Sequence, residues 1–479
     1  YLGYDTIQWS SNQNKIVFNN GIAHYVSLSA DTITISYHSA VRNVIVNLVG
    51  GSGQRALTVD SVGDLVSLRN GVNTGSSFLY KGHSIPALAL GVFFKQTVDL
   101  DLSHICGPNI GGSEKSWTPI GTDTNYFRGK YFGSGHTISN LYINAPGADY
   151  QGLFGYAITP CTIDSITLIN TTVSGRNYVG SLVGRMQVVK LLNCQNSGSV
   201  TGNRYIGGIA GYLTAYSKIV KSSNSGSVTG KTILGGVAGY IGQGNDTLIC
   251  NTNYSQVIGI DTLGGVAGLF GDGSIIDSCS NYGKISGRSM IGGVAGTITS
   301  GGVVQNCVNN NKVTGTGIYT GGVIGYLCNG SYASLLTNKD SVNGYRYVGG
   351  IVGYSTAGSS LLSCENNGNI KGVNNVGGVA GVYENGGSYF HELINSGNVS
   401  GKDTLGGIVG YVAGTNKGLS FTNLGKVNGH NNVGGICGVA INGINIRQCA
   451  NRDSVAGHVM VGGITGYVCC GTSHDTCSN

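Results

Sequence analysis

Asparagine returns in this chain at a fixed interval. Asn196, Asn224, Asn253, Asn281, Asn309, Asn338, Asn366, Asn395, Asn423, Asn451 and Asn479 follow one another at spacings of 28 or 29 residues. A period of that length marks a solenoid, in which each repeat forms one coil and buries its apolar face only against its neighbours. Equivalent residues of stacked coils lie about 4.8 Å apart. At that separation one side-chain amide donates to the next and accepts from the one before, as in the Asn ladders of stacked strands. The period therefore restricts this region to a rod of parallel coils before any other residue is considered.

The residues between the asparagines fill in the coil. One period reads Ser274-Ile-Ile-Asp-Ser-Cys279-Ser-Asn281-Tyr-Gly283-Lys-Ile285-Ser-Gly287, then Met290-Ile-Gly292-Gly293-Val294-Ala-Gly296. Two residues after the ladder Asn stands Gly198, Gly226, Ser255, Gly283, Asn311, Asp340, Gly368, Gly397, Gly425 or Asp453. Apart from Ser255 these types tolerate a left-handed backbone, so the spacing predicts a tight turn there. Two further on is always Val or Ile, from Val200 to Val455, a core position on a short strand. A glycine follows at Gly202 through Gly457 as a second corner, and then a Gly-Gly strand from Gly207-Gly208 to Gly462-Gly463. Paired glycines inside a strand mark close backbone approach. Gly152-Leu-Phe-Gly155 and Gly180-Ser-Leu-Val-Gly184 are degenerate first coils. The predicted fold is an all-β, right-handed parallel β-helix, since parallel crossovers favour that hand. Its coils number about twelve over residues 150–479, a rod of roughly 55 Å.

Ahead of the rod the pattern changes. Asp60 to Gly71 reads as one short helix, with Ser61 and Asp64 as a capping pattern, Val62, Leu65 and Val66 on one face, and Asn70-Gly71 as the stop. Such a helix covers the first open edge of a solenoid. Residues 57–149 thus form a capping helix and lead-in segment. Residues 1–56 alternate apolar and polar, as in Asp31-Thr-Ile33-Thr-Ile35-Ser-Tyr37, and read as a separate β-rich module. The final residue is itself a ladder Asn, so the rod is expected to continue in a longer polypeptide.

Several functions are disfavoured by composition. Charged residues make up only 10% of the chain, and the net charge of +6 is not gathered into any run of Lys or Arg. Nucleic acid or an anionic membrane would call for a dense basic stripe. No stretch reaches membrane-spanning length, so no insertion by this segment is expected. A glycine content of 84 residues without a three-residue period excludes collagen. Six of the 13 cysteines, Cys194, Cys279, Cys307, Cys364, Cys449 and Cys477, sit two residues before a ladder Asn, in a slot shared with Leu336, Leu393 and Phe421. They read as small buried hydrophobes rather than disulfide partners. Cys328, Cys469 and Cys470 fall in loop positions open to oxidation or cross-linking.

Together these motifs support a family resemblance. Trp117-Thr-Pro-Ile-Gly121, Phe127-Arg-Gly129 and Gly133-Ser-Gly135-His-Thr-Ile138-Ser-Asn140-Leu141 lead into Gly152-Leu-Phe-Gly155. This order, followed by Gly-Gly-Val-Ala-Gly coils with Asn-x-Gly-x-Val-x-Gly, resembles bacterial GLUG-motif surface proteins over residues 58–479. The resemblance implies a β-solenoid in a cell-surface or extracellular setting, as in accessory regions of some immunoglobulin-A metallopeptidases. It implies no single activity.

The chemistry-bearing residues are few. A zinc peptidase needs HExxH on a helix, and His391-Glu392 has no second His at the required place. The chain has four Glu, at 114, 365, 384 and 392, and no recurring carboxylate slot for sugar cleavage outside turns. His430 and His458 share a slot in adjacent coils and read as a stacked surface pair. No cofactor, metal site or catalytic residue is expected. Tyr212, Tyr240, Tyr326, Tyr354, Tyr411 and Tyr467 share one slot after the Gly-Gly strand, placed either to pack across coils or to meet glycans or another rod. Nine of 17 Asp are followed by Ser or Thr and then Val, Ile or Leu. Chance gives about one such match at ordinary residue frequencies. The pattern resembles the O-glycosylation triplet of Bacteroidota secreted proteins. It nominates Thr6, Thr32, Ser165, Thr247, Thr262, Ser341, Thr404 and Ser454, of which Thr247, Thr262 and Thr404 are expected to face outward. The expected role is a non-catalytic secreted or surface stalk, adhesin or filament segment, meeting host or neighbouring-cell surfaces, glycans or other copies of itself. A carbohydrate-binding or carbohydrate-degrading β-helix is the alternative.

Overall fold

Each 28- or 29-residue period closes into one coil of short strands in the computed structural model, and every coil pairs in parallel with the next, residue for residue. The structure describes residues 56–479 except 243, 300, 329, 357, 385–388, 415 and 416. Before residue 56 it describes the backbone of five strands. Two of these, Gln8–Ser11 and Ala40–Asn47, flank Ala30–Tyr37 in an antiparallel sheet, and Ile16–Asn19 pairs with Ile22–Tyr25.

The asparagines stack in register. From Asn196 to Asn451 each Nδ2 donates to the Oδ1 of the next Asn at 2.7–3.1 Å, without a missing step. The second N–H of each amide donates to the carbonyl two residues on, at 2.6–3.3 Å. Where that residue is Gly or Ser, its backbone N–H returns a bond to the same Oδ1 at 3.1–3.4 Å. Both donors and both lone-pair sites of the amide are then used. That is why a residue no more than 3% exposed can be polar at all. Asp cannot donate the ladder bond, and Leu would leave the turn unpaired. Thr171 Oγ1 starts the array by donating to Asn196 Oδ1 at 2.6 Å.

The glycine pair is the other half of the same contact. A Cβ on Gly265 would lie 2.3 Å from the amide carbon of Asn281 and 2.1 Å from the Gly293 carbonyl, and the same holds coil after coil. Gly-Gly and Asn-x-Gly therefore recur together because each ladder amide packs against the second glycine of the previous coil. Val200, Val228, Val257, Ile285, Val313, Val342, Ile370, Val399 and Val427 stack in the core, at most 1% exposed.

The turn expected two residues after the Asn is not left-handed. Gly198, Gly226, Gly283, Gly368, Gly397 and Gly425 are absent from the positive-φ residues. Glycine is needed there because adjacent backbones nearly touch: a Cβ on Gly226 would lie 1.4 Å from the Gly198 carbonyl. The left-handed corners lie elsewhere. One falls three residues before each ladder Asn, at Asn193, Lys221, Cys250, Ser278, Asn306, Leu335, Ser363, Glu392, Ser420, Gln448 and Thr476. A second falls two residues before the Gly-Gly pair, for example at Tyr205, Ile233, Thr262 and Tyr319. These side chains have little in common. At the first corner the neighbouring coil offsets the strain, since Lys221, Cys250, Ser278 and Leu335 each donate their N–H to its carbonyls at 3.0–3.2 Å.

The helix spans Val62–Asn73, capped by Ser61, whose side chain accepts from the Asp64 N–H at 3.1 Å. It runs past the expected stop at Asn70-Gly71. Gly71 lies inside it because the Phe78 ring rests where a Cβ would be. Leu65, Leu68 and Val72 enter the core, while Val62 and Val66 pack at its margin. They cover the first rung, Leu57–Val59, whose one strand partner among the described residues is Phe93–Gln96. Each fully buried side chain of this kind contributes roughly 1.5–3 kcal/mol.

The ladder-flanking cysteines are buried, except that Cys477 is partly exposed, and Cys279 and Cys307 are free thiols. Their thiols also bond: Cys194, Cys307, Cys364 and Cys449 donate to the carbonyl two residues back at 3.0–3.2 Å, as the Ser222 hydroxyl does. Burial pushes Cys194, Cys364 and Cys449 up to about 12. Cys328, expected in an open loop, is instead buried and donates to the Ile298 carbonyl. Cys469 and Cys470 are joined to each other.

Candidate functional site

The outer surface carries two aromatic columns over the first regular coils. One follows the slot after Gly-Gly, where Tyr156, Arg185, Tyr212 and Tyr240 stand in register. The Arg185 guanidinium lies 4.8 Å from the Tyr156 ring centre and 5.6 Å from that of Tyr212, and Tyr212 stacks on Tyr240 at 4.5 Å. Beside it runs a second column, Tyr150, Tyr178 and Tyr205, stacked at 4.9 and 5.0 Å. The Arg204 guanidinium sits 4.5 Å from the Tyr205 ring centre. The two columns meet edge to face, as in Tyr178–Tyr212 at 5.2 Å and 80°.

Stacking uses up the ring faces. What the columns offer outward is ring edges, phenol hydroxyls and cations. The slot shared by Tyr212 and Tyr240 was legible in the sequence. The companion column was not, because Tyr178 and Tyr205 occupy left-handed corners that other coils fill with Ile233 or Thr262. Their recurrence two residues before Gly-Gly was the available signal. A smaller cluster repeats the arrangement at Tyr319, Tyr326, Tyr347 and Tyr354, with Arg346 over Tyr347 at 4.5 Å. There a carboxylate joins in, since Tyr354 Oη donates to Glu384 Oε2 at 2.5 Å. Burial, with this carboxylate beside it, pushes the Tyr354 hydroxyl well above its ordinary value.

The remaining acids are dispersed. Glu114 accepts from Asn144 Nδ2 at 2.8 Å, and Glu392 accepts from Ser363 Oγ at 2.7 Å. Asp60 and Asp64 share Lys81 at 2.7 and 3.0 Å beside the helix N-terminus. Asp149 and Asp261 hold Arg176 and Arg288 through two bonds each. The rings of His430 and His458 stand 4.7 Å apart. Among the described residues no group of three or more His, Cys, Asp or Glu is placed to hold a metal ion.

The hydroxyls of the Asp triplets differ in their surroundings. Thr6 lies outside the described residues, as does the side chain of Thr32. Ser165, Ser341 and Ser454 donate to their own preceding Asp at 2.8–3.1 Å, closing a local turn. Thr262 does not face outward as expected, and Thr247 is only partly exposed. The Thr247 hydroxyl is buried without a partner, and Thr262 is 8% exposed with its hydroxyl against the Met290 sulfur. Thr404 is half-buried and Ser454 exposed. Asp246, of the Thr247 triplet, is wholly buried, accepting from Ser217 N at 2.6 Å and Gly242 N at 3.1 Å. Desolvation pushes its carboxyl up to about 7, against the two backbone donors that pull it down. The ladder residues from Asn196 to Asn451 are interior, and Asn479 on the last coil is exposed.

Residues 202–229 match the family model of the GLUG motif, and the matched segment is one period of the stack just described. This period is a GLUG motif, and the neighbouring coils repeat its ladder Asn and Gly-Gly positions. Halomucin of Haloquadratum walsbyi is 32% identical to this chain over 181 residues, 36% of this chain and 2% of that protein. A protein of Evansella cellulosilytica named as Gly-rich and membrane is 33% identical over 100 residues, 20% of this chain and 11% of its own length. The GLUG solenoid thus spans a small part of these curated relatives. A solved structure of an immunoglobulin A1 protease candidate from Bacteroides ovatus aligns over 74% of this chain and 79% of its own, at 16% identity and a TM-score of 0.30.

Proposed function

We propose that the GLUG solenoid is a segment of a non-catalytic, secreted or cell-surface structural and adhesive protein: a stalk, an adhesin or part of an extracellular filament. The observation that carries this reading is the unbroken amide array. Ten ladder bonds tie the coils from Asn196 to Asn479 into one rod of about 48 Å at the strand spacing. A rod of this kind holds what it carries at a distance from an anchor. The names of the relatives, a halomucin and a membrane protein, support a surface or secreted setting. The partners proposed are host or neighbouring-cell surfaces, glycans, or further copies of the chain. Antibodies against the folded solenoid should label intact source cells or their medium. Labelling only after lysis would overturn the reading, and cleavage of any glycan or peptide panel by the purified chain would overturn its non-catalytic part.

A further inference from the structure

We propose that the double column between Tyr150 and Tyr240 binds the anionic sugars of an acidic polysaccharide, with Arg185 and Arg204 as the groups that contact its carboxylate or sulfate substituents. Three observations lead there. Arg185 and Arg204 have no ion-pair partner among the described residues, in contrast to Arg176 and Arg288. Arg185 Nε is moreover buried without a hydrogen-bond partner, which leaves the terminal N–H groups of the fork as the ones that meet an incoming acceptor. The rings are committed to one another and to the cations. A neutral sugar therefore finds no free aromatic face to stack on, whereas an anion meets N–H and O–H donors and positive ring edges together.

The local charge is consistent. The Asp149 carboxylate near Tyr178 is neutralised by its two bonds to Arg176, and Asp246 and Asp272 lie at the far end, beside Tyr240. The second tyrosine cluster carries Glu384 on Tyr354 as well as Arg346 over Tyr347, and so lacks the surplus positive charge. The columns also run along the stack, so their rise of about 4.8 Å per coil is close to the length of one sugar ring. A chain of acidic sugars lying along the rod would meet Arg185 and Arg204 one coil apart.

The test uses the full chain in affinity electrophoresis and surface plasmon resonance against polygalacturonate, dextran sulfate and plain dextran. Binding is expected to one or both acidic polymers and not to dextran. Polygalacturonate alone identifies carboxylate as the anion, and dextran sulfate alone identifies sulfate. Arg204→Gln, at an exposed position, should weaken binding roughly tenfold, the value of one charge-assisted contact. Arg185→Gln should weaken it at least as much at a temperature where the variant is fully folded by circular dichroism, and Arg346→Gln should leave it unchanged. Equal retention on dextran, no binding to either acidic polymer, or undiminished binding by Arg204→Gln would overturn the proposal. The inference rests on the surface reading only for where such a polymer is met, so its failure would leave the cell-labelling result intact.

Discussion

Replacing one mid-ladder asparagine tests the central physical claim, that the amide array and not the apolar core alone fixes the coils. In Asn281→Ala four groups lose their partners at once: Asn253 Nδ2, Asn309 Oδ1, and the Gly283 N–H and carbonyl. All lie in the interior, where an orphaned polar group costs about 1–3 kcal/mol, so the low end of the sum is about 4 kcal/mol. A quasi-one-dimensional rod confines the damage to nearby coils. Hydrogen exchange resolves this. The amides of Tyr282 and Asn310, which bond to Asn253 and Asn281 carbonyls at 2.7 and 2.8 Å, should lose about 4 kcal/mol of opening free energy. The Arg452 amide, which bonds to the Asn423 carbonyl, should be unchanged. The control is Asn310→Ala, one coil on beside ladder residue Asn309 and only half-buried, with an expected change within about 0.5 kcal/mol. Equal effects of Asn281→Ala and Asn310→Ala, or a loss spread evenly over all coils, would refute the reasoning.

Gly265→Ala should destabilise by about 3 kcal/mol or more in urea unfolding, because the new methyl meets both the Asn281 amide and the Gly293 carbonyl; a neutral result would mean that the ladder yields where it is described as rigid. Asp246 makes stability depend on pH. Its folded value of about 7 lies above the unfolded 3.8, so the folded state holds the proton more tightly, and the contribution is full below 3.8 and lost as pH rises through 7. The span corresponds to up to about 4 kcal/mol, and Asp246→Ser should flatten that part of the pH–stability curve. Native thiol titration should modify Cys250 rapidly and leave Cys194, Cys279, Cys307 and Cys364 unmodified until denaturant is added. If the Asp triplets carry sugar in the native protein, peptide mass mapping should find it on Ser454 or Thr404 ahead of Thr247 and Thr262, whose hydroxyls are turned inward.

The period, the ladder and the Val/Ile core slots were legible because each depends on one side chain repeated in one place. Corners were not. The sequence points to glycine two residues after the Asn, since glycine is the usual left-handed residue. Here, however, glycine is spent on close approach between backbones, and the left-handed positions fall to Lys221, Leu335 or Glu392. Those residues share no chemistry, because at that corner the hydrogen bond to the next coil holds the strained backbone and the side chain does not. The helix runs past its apparent stop for a similar reason. Gly71 is present for the Phe78 ring rather than as a terminator. Arg185 escaped notice because it stands alone in a tyrosine slot, and its meaning comes only from the rings above and below it.

One property of the amide array reaches beyond stability. Every ladder Asn donates in the same sense along the chain, so each coil presents an acceptor on one side and a donor on the other. At the ladder, therefore, any two coils fit each other, whichever coil once stood between them. Removing or duplicating whole periods joins a donor to an acceptor again, while an excision of half a period joins faces that do not match. Recombination between such repeats can lengthen or shorten the molecule in steps of one coil without redesigning the ladder, so reach is the trait this architecture lets vary most freely.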